Sequence, residues 1–206
     1  MKSTVAVRVL SWLARLPAPV ADSIGRGLGR WVHRKGSRNQ RRTQTNLALC
    51  FPDMPLQDRL VLERDSLTDL GEKAARLARV WVLGGDNPDQ LQDPVELGAW
   101  NEAIEAGEGL LLLVPHIGNW ELLGSWVAEH GVLNAMYRPA RLEGVDELIL
   151  NGRVAQGYQM HPTNVKGVAG LLKSLKKGEI VAVLPDQEPD VEGGEFAPFF
   201  GVPALT

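Results

Sequence analysis

The sequence has a single cysteine, Cys50, so no disulfide can close within the chain and no cysteine-rich zinc module can form. It also lacks long apolar runs. The longest, Leu110 to Pro115, falls far short of the roughly 20 residues that a membrane-crossing helix needs. There is no internal repeat and no low-complexity tract, which excludes a solenoid or a collagen-like chain. Acidic residues are nearly missing from the first fifth of the chain. Residues 1–42 carry ten Lys and Arg against one acid, Asp22, so this arm is +9. The whole chain has a formal charge of −3, which leaves −12 for the remainder. What is present is ordinary globular material: 206 residues, 44% hydrophobic and 23% charged, enough to bury the core of one domain with an appended segment.

A basic arm on an acidic body points to an anionic surface, either membrane or nucleic acid. The order of residues in the arm separates the two. On a helical wheel Val5, Val9, Trp12, Leu13 and Leu16 share one face, with Arg8, Ser11 and Arg15 on another. Pro17 and Pro19 end this helix. A second stripe, Ile24, Leu28, Trp31 and Val32, stands opposite Arg26, Arg30 and His33. An apolar face bearing Trp beside an Arg-rich face suits a helix lying in a membrane interface, and also suits an ordinary amphipathic helix packed on its own domain. Nucleic acid fits less well, because the basic residues alternate with an apolar stripe and no recognition motif follows. Residues 1–35 are therefore expected to form basic amphipathic membrane-associating helices, and 36–206 the main domain.

Beyond the arm, residues 56–83 read as one long helix with Leu60, Leu67, Leu70, Ala74, Leu77 and Trp81 at helical spacing, stopped by Gly84-Gly85. Asp86 to Pro94 is turn-rich, and a short strand then a helix follow up to Ala106. From Gly109 onward strands and helices alternate. Leu110–Val114, Val132–Tyr137 and Glu179–Leu184 read as strands, and 119–130, 145–156 and 168–177 as helices. The rhythm predicts an α/β fold, a mostly parallel sheet flanked by helices and preceded by amphipathic N-terminal helices. In such sheets chemistry sits beyond the carboxyl ends of the strands. Those ends carry His116, Arg138 and Asp186.

The most informative stretch is Pro115-His116-Ile117-Gly118-Asn119-Trp120-Glu121. His116 follows a buried strand and precedes a helix whose N-cap is Asn119. Gly118 permits a tight turn between them. With His116 in that turn, Glu121 in the first helical turn can reach back to it. A carboxylate on one imidazole nitrogen would fix the tautomer and leave the other nitrogen to take a proton from a hydroxyl. The plainer alternative is an acidic residue favoured at a helix N-terminus beside an unrelated loop histidine. No G-x-S-x-G elbow is present, since Ser125 lies inside a helix, and no residue set has metal-ligand spacing. Cys50, in the apolar Asn46-Leu47-Ala48-Leu49-Cys50-Phe51-Pro52 segment, reads as a buried core residue. His33, His130 and His161 read as surface residues.

The His116–Glu121 stretch resembles the H-x4-D/E motif of the glycerolipid acyltransferase superfamily and, in its HxGNWE form, the bacterial lipid A biosynthesis acyltransferases. Four further blocks agree in order: Arg41-Arg42 with Asn46 to Pro52, Tyr137-Arg138-Pro139, Lys177 to Gln187, and Phe199-Phe200-Gly201-Val202-Pro203-Ala204. The family continues past this last block whereas the sequence stops at Thr206, so the sheet is expected to be incomplete and the domain to lack the family's C-terminal part.

The resemblance implies an enzyme that moves a fatty acyl chain from acyl carrier protein to a hydroxyl of a lipid A precursor, at the cytoplasmic face of the bacterial inner membrane. It would need no cofactor beyond the acyl-carrier co-substrate, and no metal or nucleic acid. In that scheme His116 is the general base and Glu121 its orienting partner. Backbone amides around Gly118 and Asn119 would serve the developing oxyanion. Arg138, with Arg141 as a second candidate, would hold an anionic group of the acceptor. Asp186 would shape the site or bind an acceptor hydroxyl, or would simply form a turn. Lys166, Lys173 and Lys177 share roughly one helix face, either a solvated face or a dock for an acidic carrier. Another lipid acceptor, or a membrane-bound fragment without catalysis, are the alternatives.

Overall fold

The computed structural model describes residues 2–84, 97–187, 189 and 194–205. Its elements run α1 (Lys2–Ala14), α2 (Ala18–Arg34), α3 (Arg38–Cys50), α4 (Leu56–Leu83), α5 (Gly98–Ala106), β1 (Leu110–Leu113), α6 (Trp120–His130), β2 (Leu133–Tyr137), α7 (Glu143–Ala155), β3 (Gln159–Pro162), α8 (Val165–Leu175), β4 (Ile180–Val183), β5 (Phe196–Phe199) and β6 (Val202–Leu205). The expected turn region at Asp86–Pro94 and the strand expected before α5 lie outside the described residues. The chain forms two compact units: Met1–Arg15 with Leu77–Pro185, and Leu16–Arg76 with Asp186–Thr206.

The first unit holds a four-stranded sheet in the order β1-β4-β2-β3, parallel throughout. The α/β expectation is met, and β3 is a strand that the sequence pattern did not announce. The apolar run of β4 is buried at Ile180 and Val181, but β1 departs from the expected buried strand: it lies at the sheet edge, with Leu110 and Leu112 half-buried and Leu111 and Leu113 exposed. One face packs under α6, where Val127, Leu133, Tyr158 and Ile180 form the core with Trp126, Leu110 and Leu112 against it. Each fully buried aliphatic side chain there contributes about 1.5–3 kcal/mol.

The opposite face meets α8 and contains a polar knot. Asn134, fully buried in β2, donates from Nδ2 to Glu179 Oε2 at 3.0 Å and to the Val132 and Ile180 carbonyls at 3.3 Å each. Its Oδ1 accepts from Ser174 Oγ and pairs with His161 Nε2, both at 2.9 Å. His161 is thus half-buried in this knot rather than a surface residue. α1 packs along α7, with Ser3 Oγ accepting from the Gly144 amide at 2.8 Å. Val5, Val9 and Trp12 of α1 remain exposed.

The second unit contains α2, α3, most of α4 and the β5–β6 hairpin. α2 touches α4 through its small residues. Ala21, Gly25 and Gly29 are buried, and a Cβ on Gly25 would sit 2.5 Å from the Gly71 carbonyl oxygen. Pro17 caps α2 and Pro19 lies in its first turn, where a proline is tolerated. Arg26 pairs with Glu72 at 3.0 Å, and Arg76 Nη2 with Asp22 at 3.0 Å. His33 is half-buried, with Nε2 3.3 Å from the buried carboxylate of Glu63, which also accepts from Gln40 Nε2 at 2.7 Å. The expectation of a surface His33 is corrected by that buried acid.

α3 occupies residues that the sequence pattern left as a polar, basic segment. Ser37 caps it, accepting from the Gln40 amide at 3.1 Å. Cys50, at its last position, is half-buried rather than a core residue. Phe51, just beyond, meets the Phe200 ring edge-on at 5.3 Å. Phe200 (φ 51°) and Gly201 (φ 75°) form a two-residue turn between paired Phe199 and Val202. Two successive positive φ values fit the turn that matches hairpin twist, and Gly201 supplies one of them without strain.

Among the described residues, no helix is long and apolar enough to cross a membrane.

Candidate active site

β1 ends at Leu113, and its neighbour β4 continues the pairing through Val114 N to Val183 O at 2.9 Å. The chain then turns through residues 115–119 into α6. Gly118 takes φ +64°, a conformation that glycine adopts freely. Asn119 caps α6 by accepting from the Leu122 amide at 3.4 Å. Both features match what the sequence led one to expect. His116 sits in this turn, half-buried, with its ring edge-on to Trp120 at 4.9 Å between centroids. Glu121 is the second residue of α6.

Glu121 is 2% exposed. A carboxylate so deep in the protein needs a partner, and Arg153 from the last turn of α7 supplies it. Arg153 Nε donates to Oε2 at 3.1 Å, and Nη2 donates to Oε1, a two-pronged pair. Burial works to lower the Arg153 pKa, but the hydrogen bond and charge of Glu121 outweigh it, and the value is raised. The guanidinium therefore stays charged. Two oxygens carry about four lone-pair sites, so Glu121 retains acceptor capacity beyond Arg153. Tyr158 O–H donates to the Glu121 backbone carbonyl at 3.2 Å. Sequence spacing gave no hint of Arg153, which stands far along the chain in an unremarkable helix.

A second set of contacts extends from this pair to the end of β2. The Arg153 guanidinium carbon lies 5.4 Å from the Tyr137 ring centroid. The Tyr137 hydroxyl donates to Asp146 of α7. Burial first, then that hydrogen bond and the charge of Asp146, push the Tyr137 phenol up to about 12. Asp146 also accepts from the Ala140 amide at 2.6 Å. It therefore fixes the loop that carries Arg138 and Arg141, both exposed.

The structure thus brings His116, Gly118, Asn119, Glu121, Arg153, Tyr137 and Asp146 to the carboxyl-terminal side of the sheet, where open α/β sheets bind ligands. Arg138 and Arg141 stand on the loop beyond β2. Asp186 is exposed and follows β4, in the other unit. Lys166, Lys173, Lys176 and Lys177 on and after α8 are exposed, and Lys177 lies 3.5 Å from Glu179.

Residues 3–206 match the family model described as bacterial lipid A biosynthesis acyltransferase. The chain belongs to this family. A lipid A biosynthesis acyltransferase of Haemophilus influenzae is 30% identical over 191 residues, covering 91% of this chain and 60% of that protein. The lipid A biosynthesis lauroyltransferase of Escherichia coli is 29% identical over 209 residues, covering 96% of this chain and 64% of that protein. The myristoyltransferase of the same organism is 26% identical over 206 residues, with 98% and 62% covered. The chain therefore spans a little over three fifths of the length of these relatives. Two of the sequence blocks that stand far apart in the chain meet in the second unit, since Phe51 belongs to the first and Phe200 to the last.

Proposed function

We propose that this lipid A acyltransferase chain transfers a fatty acyl group from acyl carrier protein to a hydroxyl of a lipid A precursor, at the cytoplasmic face of the inner membrane. The observation that carries the reading is His116 in the turn between β1 and α6, stacked edge-on to Trp120 beside Glu121 in sequence, with Glu121 buried and paired to Arg153, in a chain of this family. The imidazole of His116 takes the proton of the acceptor hydroxyl. The resulting alkoxide attacks the thioester carbonyl and forms a tetrahedral oxyanion. Collapse breaks the C–S bond, and the departing thiolate recovers the proton from the imidazolium.

Glu121 stabilises the charged imidazole, and Arg153 holds Glu121 in place. Backbone amides at the start of α6, around Gly118 and Asn119, face the oxyanion. Arg138 and Arg141 bind the anionic groups of the acceptor, because a guanidinium fork matches phosphate or carboxylate. Asp186 binds an acceptor hydroxyl. The exposed lysines of α8 receive the acidic carrier protein. The reaction needs no cofactor beyond the acyl carrier.

The test gives acyl carrier protein loaded with labelled lauroyl chains, and tetraacylated lipid A precursor bearing its Kdo sugars, to membranes containing the chain. The expected result is a mass gain of one acyl group on the precursor, abolished by His116→Ala. A gain that persists in His116→Ala would refute the base assignment. A gain only on a lysophospholipid or ornithine lipid would refute the acceptor assignment.

A further inference from the structure

α2 has two apolar faces, and among the described residues only one of them is packed against a partner. The small face, Ala21, Gly25 and Gly29, lies against α4 as closely as two backbones allow, since a Cβ at Gly29 would sit 2.2 Å from the Leu67 carbonyl oxygen. The large residues are turned aside into solvent. Val20 is 46%, Ile24 40%, Leu28 54% and Trp31 55% exposed, and they recur at three- and four-residue intervals along one stripe. The expected stripe is corrected in one respect: it includes Val20 and not the half-buried Val32.

The charges divide in the same way. Arg26 and His33 are held by Glu72 and Glu63. Arg30, Arg34 and Lys35 are exposed. So are Arg38, Arg41 and Arg42, across the turn capped by Ser37. No acid occurs between Asp22 and Asp53. Lys35 Nζ stands 5.7 Å from the Trp31 ring centroid, so the aromatic end of the stripe carries a cation over it.

We infer that α2 and the turn into α3 form one docking surface for an anionic phospholipid bilayer, with α2 lying in the plane of the interface. The apolar stripe enters the boundary between headgroups and acyl chains, and the six exposed cations meet lipid phosphates. An acidic protein partner would be matched by the cations alone and would leave the stripe of four large apolar residues unexplained. This inference rests on the proposed action at a membrane, and it specifies the face of the chain that rests there.

The 206-residue chain is sedimented with vesicles of phosphatidylcholine alone, or of phosphatidylcholine with phosphatidylglycerol, at low and high salt. Two multiple variants are compared, Ile24→Ser with Leu28→Ser and Trp31→Ser, and Arg30→Gln with Arg34→Gln and Arg38→Gln. All six positions face solvent, and thermal unfolding checks that each variant folds. The single change Trp31→Ser serves where a multiple variant does not fold.

Wild type is expected to bind the anionic vesicles far more tightly than the neutral ones and to weaken with salt. The charge variant loses roughly fivefold per cation at low salt. The apolar variant loses at least tenfold at either salt. His116→Ala, inactive on the proposed function, binds as wild type, which separates a failure of docking from a failure of catalysis. Wild-type-like binding by the apolar variant would overturn the inference. If that variant kept its vesicle binding while the charge variant lost binding to acyl carrier protein, the occupant would be the acidic protein instead.

Discussion

Removing the Arg153 side chain should damage the fold in a way that a second substitution repairs. Glu121 is almost wholly buried and receives two hydrogen bonds from one guanidinium. Arg153→Leu leaves that carboxylate facing an apolar group. Breaking a buried pair from one side costs about 3–5 kcal/mol. The Arg153 side chain is 19% exposed, so some water reaches the vacated space and the lower end, about 3 kcal/mol, applies. For a chain of this size the melting temperature should fall by roughly 6–12 °C.

Replacing both partners with leucine removes the stranded charge together with its cause, and buried pairs exchanged for apolar residues are often neutral in stability. The double variant Glu121→Leu with Arg153→Leu should therefore recover to within about 1 kcal/mol of the wild type. Arg153→Lys should fall between, because an ammonium cannot reproduce the fork. Urea unfolding followed by circular dichroism, with the single variant Glu121→Leu added, gives all four corners of the cycle. A loss below about 1 kcal/mol for Arg153→Leu, or a double variant as unstable as the two single changes summed, would refute the pairing as described.

Three other outcomes follow from geometry already described. Burial, with the charge of Glu121, raises the Tyr158 phenol, and Tyr137 is pushed up to about 12, so both of the chain's tyrosines should resist ionisation. Their folded values lie above the unfolded one of about 10, so stability present below pH 10 is lost as the pH rises through that interval; phenolate absorbance should stay flat past pH 10 in the folded protein and rise there in urea. Gly71→Ala should destabilise the second unit by about 1–3 kcal/mol or prevent its folding, because the new Cβ would meet the Gly25 carbonyl oxygen at 2.1 Å; unchanged urea unfolding would contradict the backbone contact. The Ser174 hydroxyl, the Asn134 amide and Lys177 hold the Glu179 carboxyl below its ordinary 4.5. A folded pKa below the unfolded one stabilises the fold above the unfolded value, and this is lost as pH falls below about 4.5, so Glu179→Gln should flatten acid unfolding in that range.

Most of the sheet was legible in the sequence, and the omissions have physical causes. The long helix α4 was read end to end because its leucines recur at helical spacing over Leu56–Leu83. β1 and β4 announced themselves as unbroken aliphatic runs. β3, Gln-Met-His-Pro, sits at a sheet edge with a proline and has no such run. α3 begins with polar residues alone, so a pattern search misses it; the Ser37 cap and the bond from Gln40 to Glu63 hold it instead. The positive φ of Gly118 and the Asn119 cap could be read locally because turns and caps are local. Arg153 could not be. Its importance lies in where α7 places it against α6, and no pattern of adjacent residues encodes that meeting.

The buried Asn134 has a consequence for assembly of the sheet. Its partners come from Val132 just before β2, from β3, from the last turn of α8, and from Glu179 and Ile180 at the start of β4, up to 46 residues from Asn134 in sequence. Parallel strands can pair in several registers, and a slip of one residue reverses every side chain between the two faces. For β2 that slip would turn the carboxamide into the aliphatic cluster of Val127, Leu133 and Ile180, where none of its hydrogen bonds could form. Leucine at this position would pair tolerably in either setting. The asparagine thus acts as a proofreading key: only one strand alignment lets it form its hydrogen bonds, so a slipped sheet carries the cost of a buried carboxamide without partners.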